Sequence, residues 1–307
     1  MIIAYGQRKS ENIEKWSYYL NRFARIYPVY LFALILSVIK FMMIDVVPLK
    51  ELILQLFVIQ SWFPGHIGKL NTPGWSLSVE ALFYLSFPFL FNNFYTKFSL
   101  RSVSILVFIL WFATQILLNY IYLSPHYLPS PSKIHDFIFY FPLMHINEFM
   151  IGNVLGFVYL NSAKKQRNLD VPLTISVIAM LAVLLFITSV SFHDGLMAIL
   201  FSPVILLLSL NSGIITKIFS NKYLVLLGEA SYGMYILQSP IKSFSSVIFK
   251  KIHLVNETFQ FYAFMVILIV TSILCYFLIE IPAKDWIKSW KKRKVRKLQP
   301  ADDTVNF

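Results

Sequence analysis

Ser76, Glu80 and Tyr84 recur at four-residue intervals in the run Trp75-Ser76-Leu77-Ser78-Val79-Glu80-Ala81-Leu82-Phe83-Tyr84, so a helix there puts all three on one face. A carboxylate on such a face, turned into a water-poor interior, can accept a proton or orient a donor. The plainer alternative is a helix that starts after Pro73-Gly74, with Glu80 merely hydrogen-bonded. Arg22 and Arg25, three residues apart in Arg22-Phe23-Ala24-Arg25-Ile26-Tyr27-Pro28, also share a helical face. Their guanidinium groups are suited to gripping phosphate oxygens, although plain anchoring at a membrane surface would use the same residues.

Two further stretches carry polar groups. His145 and Glu148 are three apart and able to pair, ahead of Gly152 and Gly156, whose spacing permits close helix approach. In Gly228-Glu229-Ala230-Ser231-Tyr232-Gly233-Met234-Tyr235, the residues Glu229, Tyr232 and Tyr235 form a polar stripe, and Pro240 is expected to kink or end that helix. His126, His135 and Asp136 lie without tight ligand spacing, so no metal site is expected.

The elements that must position these residues are membrane helices. Hydrophobic residues make up 57% of the 307 and charged residues 14%, against about 25% charged in soluble domains; mean hydropathy is +0.66. Apolar runs near spanning length lie at about 27–44, 75–96, 102–123, 137–160, 171–191, 196–211, 223–249 and 259–281. A ninth, Leu52 to Phe63, is too short to cross and reads as a re-entrant or interfacial helix. The expected fold is therefore an all-α polytopic transmembrane bundle of about eight spans plus one short non-crossing helix.

Charge supplies the orientation. Arg8, Lys9, Lys15, Arg22 and Arg25 precede the first span, Lys164, Lys165 and Arg167 fill one loop, and the chain is densely basic from Lys284 to Lys297. Basic loops favour the cytoplasm, and eight spans place all three there, with Lys250 and Lys251 left outside against the trend. The net charge of +12 is thus assigned to membrane orientation and anionic lipid rather than to nucleic acid. No polar linker divides the chain, so one membrane domain (1–290) and a basic cytoplasmic tail (291–307) are expected in a cell membrane. The single cysteine, Cys275, can form no intramolecular disulfide, and Met1 to Tyr5 is too short for the core of a cleavable signal.

In this order the stretches resemble the acyltransferase 3 family of membrane proteins. The matching residues are Arg22–Tyr30, Trp75–Tyr84, Glu148–Gly156, Leu227–Pro240 and the closing Glu280-Ile281-Pro282. The resemblance implies transfer of an acyl group, usually acetyl, from acyl-CoA to a hydroxyl of a surface or lipid-linked carbohydrate, with no permanently bound cofactor. It implies that Arg22 and Arg25 bind donor phosphates and that Trp75, Ser76 and Glu80 line the catalytic site. Tyr84, His145, Glu148 and Tyr232 are the residues expected to contact substrate.

Two departures stand out. The family begins with two further helices, the first carrying an essential histidine, so a truncated chain or misassigned start codon, without normal turnover, is expected. Gln238 stands where the family commonly has histidine. The competing readings are a transporter or flippase of a lipid-linked sugar, since buried Glu and Gly-broken helices also mark transport paths, and a catalytically dead family member.

Overall fold

The computed structural model describes residues 1–6, 12–162, 167–186, 195–287 and 289. Arg8, Lys9, Lys164, Lys165 and the tail 291–307 lie outside the described residues.

Among the described residues every regular element is helical. In chain order they are α1 (Ile2–Tyr5), α2 (Lys15–Met42), α3 (Leu49–Leu56), α4 (Gly74–Leu90), α5 (Leu100–Tyr122) and α6 (Lys133–Tyr140). There follow α7 (Ile146–Ser162), α8 (Asp170–Phe186), α9 (Leu196–Leu210), α10 (Ile214–Phe219), α11 (Lys222–Lys251) and α12 (Glu257–Cys275). Side chains cap several starts: Glu14 accepts from the Ser17 N–H, Ser99 from Ser102, Ser132 from His135 and Asn256 from Phe259.

Among the described residues five helical stretches are long and apolar enough to cross a membrane: Lys15–Met42, Gly74–Tyr95, Leu100–Tyr122, Lys133–Ser162 and Glu257–Ile287. Two more apolar helices, α8 and α9, have 17 and 15 residues. The 30-residue α11 is long enough to cross but carries Glu229 and Lys242. These eight stand at the eight apolar runs of the sequence, and the fold is a helical membrane bundle. The 8-residue α3 spans only about 12 Å and cannot cross.

Proline shapes two helices differently from the sequence reading. The run 137–160 is not one helix: Phe141 is extended (ψ 127°), and a 3-10 turn, Pro142–His145, separates α6 from α7. Pro142 has no N–H to give and its ring drives the preceding residue out of the helical region. Pro240, by contrast, does not end its helix, which runs on through it to Lys251.

The helices group into two compact units, residues 1–13 with 49–225 and residues 14–48 with 226–307. In the first, α7 packs against α5 and α9, and α9 against α8. Phe87 and Phe91 are fully buried, and Phe83 stacks on Phe149 with ring centroids 4.7 Å apart, which ties α4 to α7. α1 packs on α7 at Gly156, where an added Cβ would lie 2.8 Å from Ile2, while Gly152 faces open space. The close approach expected of both glycines is thus made by one of them. In the second unit α2 packs against a π-helical turn, Tyr276–Glu280, that extends α12. There Gly233 of α11 meets Ser272 of α12, with an added Cβ at 3.4 Å.

Candidate active site

The start of α4 is held from outside the helix by buried polar side chains. Gln60 donates its amide to the Gly74 carbonyl (2.5 Å) and Ser61 its hydroxyl to the Trp75 carbonyl (3.0 Å). Ser78 donates to the Val58 carbonyl (2.7 Å), and Gln55 Oε1 accepts the Asn71 N–H (3.2 Å). Gln55, Gln60, Ser61, Asn71 and Ser78 are all at 0% exposure. A buried polar group without a partner is costly, so these bonds select one rotation and height for the helix. The sequence reading missed Gln55, Gln60 and Ser61 as positioning residues; the available signal was two amides and a hydroxyl inside the apolar run 52–63.

With α4 so fixed, its polar face presents Ser76, Glu80 and Tyr84. Ser76 gives its hydroxyl hydrogen to the Pro73 carbonyl (3.1 Å), closing the first turn. Tyr84 donates its hydroxyl to Glu80 Oε1, a short contact between two half-buried side chains. A carboxylate bonded to a phenol in an apolar helix can take a proton from an approaching hydroxyl while the phenol bond steadies its charge.

Trp75, one residue earlier, leads to a second group. Its ring lies 5.0 Å from that of Tyr140 and 5.7 Å from that of His145. The buried His145 has an oxygen beside each ring nitrogen: Glu148 Oε2 3.3 Å from Nδ1 and the Phe139 carbonyl 3.2 Å from Nε2. A neutral imidazole donates to only one of two such acceptors, whereas an imidazolium serves both. The pairing of His145 with Glu148 anticipated from spacing is therefore present, and the Trp75 ring stands against it.

Arg22, Arg25 and Tyr232 belong to the other unit. Arg22 lies over the Tyr18 ring, 5.3 Å from its centroid, and Arg25 is exposed. The Tyr232 hydroxyl donates to the Ile26 carbonyl (2.8 Å), pinning α11 to the helix that carries both arginines. The π turn gathers charge beside them. Glu229, Glu280 and Arg25 lie near enough to the Tyr276 hydroxyl to act on it electrostatically. The buried Glu280 binds Lys284 Nζ at 2.6 Å, and that ammonium lies 5.8 Å from the Tyr276 ring centroid. Extra residues in a π turn commonly mark functional sites; Tyr276 and Lys284 carried no signal in the sequence as site residues.

Curated proteins offer two points of comparison. The chain is 37% identical over 95 residues to the acyltransferase MdmB of Streptomyces mycarofaciens, covering 28% of this chain and 24% of that protein. It is 23% identical over 310 residues to the O-acetyltransferase OatA of Staphylococcus aureus, covering 91% of this chain and 49% of that protein. The chain thus spans no more than about half the length of either relative. No solved structure matches. An acyltransferase-domain profile matches residues 3–280, nearly the whole of the described helices, and the chain accordingly belongs to the acyltransferase 3 family.

Proposed function

We propose that the protein transfers an acyl group, acetyl being the expected one, from acyl-CoA to a hydroxyl of a surface or lipid-linked carbohydrate. The observation that carries this reading is the Glu80 carboxylate, half-buried on an apolar helix and engaged by Tyr84. An ionisable group in a spanning helix costs about 2.5–3.5 kcal/mol, and such groups are functional by default. The names of the two relatives, an acyltransferase and an O-acetyltransferase, point the same way.

In the proposed chemistry the acceptor oxygen attacks the thioester carbonyl carbon. Glu80 takes the hydroxyl proton as the C–O bond forms; the C–S bond then breaks, and the departing thiolate recovers the proton. Trp75, Ser76 and Tyr84 line that step, with Glu80 as the catalytic carboxylate. His145, Glu148 and Tyr232 are assigned to acceptor contacts or to holding them. Arg22 and Arg25 take the phosphates of the donor, for which a forked, permanently charged group is suited. The assigned setting is a plasma membrane, with the C-terminus cytoplasmic.

Membranes bearing the protein, incubated with radiolabelled acetyl-CoA, are expected to pass label to a glycan fraction. Label that never leaves the donor would overturn the reading, and movement of a lipid-linked sugar without acylation would favour a flippase.

A further inference from the structure

α3 is built inside out. Its buried face carries Glu51, Leu54 and Gln55, two of them polar, while Leu49, Ile53 and Phe57 stand 69%, 43% and 71% exposed. These three recur every four residues, and the Phe57 N–H still bonds to the Ile53 carbonyl (3.1 Å), so they form one stripe. An apolar stripe turned outward on a helix too short to span is the mark of an element lying in the membrane interface.

Beside that stripe sits a cation-rich cluster. Glu51 Oε1 receives His66 Nδ1 at 3.1 Å and Lys69 Nζ at 3.2 Å; the carboxylate side chain is 7% exposed and the lysine 52%. Because Nδ1 faces a carboxylate it carries the ring hydrogen, which leaves the Nε2 lone pair to accept from Lys50 Nζ at 3.1 Å. The buried carboxylate thus pairs with one ammonium, that of Lys69, while the Lys50 ammonium meets the second ring nitrogen of His66. Among the described residues no carboxylate lies within ion-pair distance of Lys50. The cluster keeps a net positive charge with N–H donors facing outward, and the apolar stripe places it at headgroup depth.

The geometry points to a binding site for the phosphate of an anionic membrane lipid, formed by Lys50, His66 and Lys69 around Glu51, with the acyl chains lying along Leu49, Ile53 and Phe57. This assignment rests on the membrane setting alone and is independent of the acyl-transfer reading. Phosphate oxygens accept from both lysines, and Glu51 keeps His66 oriented beneath them. A free phosphate group shares the polar chemistry but gains nothing from the stripe, so the lipid is the favoured occupant.

The full chain, purified in detergent, is titrated with phosphatidic acid and with phosphatidylcholine, and bound lipid is counted by native mass spectrometry. Phosphatidic acid is expected to bind the unmodified protein more tightly than phosphatidylcholine. The double variant Lys50→Ala, Lys69→Ala, changed at two exposed positions, is expected to lose about fivefold in phosphatidic acid affinity per lysine. Leu49→Ser with Phe57→Ser weakens binding of both lipids. Unchanged phosphatidic acid affinity in the lysine variant overturns the site. Displacement by inorganic phosphate at the same concentration as the lipid overturns the lipid assignment in favour of a soluble phosphate.

Discussion

Tyr84 donates its hydroxyl to the Glu80 carboxylate one helical turn away, on the same face of α4 that carries Ser76. In the proposed mechanism this bond orients the carboxylate that accepts the proton. Glu80→Gln keeps the volume and removes the base. It is expected to lower acyl transfer by about 10²–10⁴-fold, the usual worth of a positioned general base, with membrane insertion unchanged. Tyr84→Phe is expected to cost roughly tenfold, in line with one hydrogen bond to a charged group. Transfer assays on membranes normalised for protein content check both, and full activity in Glu80→Gln would remove the carboxylate from the mechanism.

Arg22 and Arg25 sit one turn apart on α2, whose position is pinned by the Tyr232 bond to Ile26. Their joint replacement by alanine is expected to raise the apparent KM for acyl-CoA by about 10- to 100-fold, the loss of one or two charge-assisted contacts, with a smaller change in kcat. The unmodified protein should also bind its donor more weakly as salt rises. A KM indifferent to both changes would place the phosphates elsewhere.

His145 is buried between Glu148 and the Phe139 carbonyl. His145→Ala removes the ring that sits between these two acceptors and is expected to lower thermal stability in detergent by about 1–3 kcal/mol. If acceptor contact is its role, a KM effect for the glycan persists in any variant that restores stability. A variant as stable and as active as the parent would show the pair to be incidental.

Burial pushes the Glu51 carboxyl up, but its own backbone N–H, the His66 ring and the Lys69 ammonium outweigh burial and hold it below the ordinary carboxylate range. A group whose pKa is depressed on folding adds stability above its unfolded pKa and loses it as pH falls through the folded value. The segment around α3 and residues 66–69 is therefore expected to be fully protected from hydrogen exchange at neutral pH and to loosen below about pH 4. In Glu51→Gln that acid step should vanish. An identical acid profile in both proteins would show that Glu51 is not the titrating group.

Gly152 and Gly156 distinguish space from contact. An added methyl at Gly156 meets Ile2 at 2.8 Å, whereas at Gly152 nothing lies within 4 Å. Gly156→Ala is expected to destabilise the packing of α1 on α7 by about 1–3 kcal/mol, and Gly152→Ala to leave it unchanged or slightly improved, since alanine favours helix. Disulfide trapping between cysteines placed on α1 and α7 reports the difference, and equal trapping in the two variants would contradict it.

Helical periodicity is a local property, and the sequence by itself determined what depends on it. The membrane helices, the common face of Ser76, Glu80 and Tyr84, the spacing of Arg22 and Arg25, and a short non-crossing segment within 52–63 all follow from residue type and interval. The His145–Glu148 pair was legible for the same reason, because residues three apart on a helix are neighbours whatever surrounds them. Partners drawn from different elements were not. The amides of Gln55 and Gln60 holding the entry to α4, Tyr232 bonded to the Ile26 carbonyl, and His66 wedged between Glu51 and Lys50 join residues 14 to 206 positions apart. Such contacts exist only once helices have packed, since nothing in a chain's local geometry says which distant polar group will meet which. Only the tertiary structure decided that α3 turns its apolar side outward and its carboxylate inward.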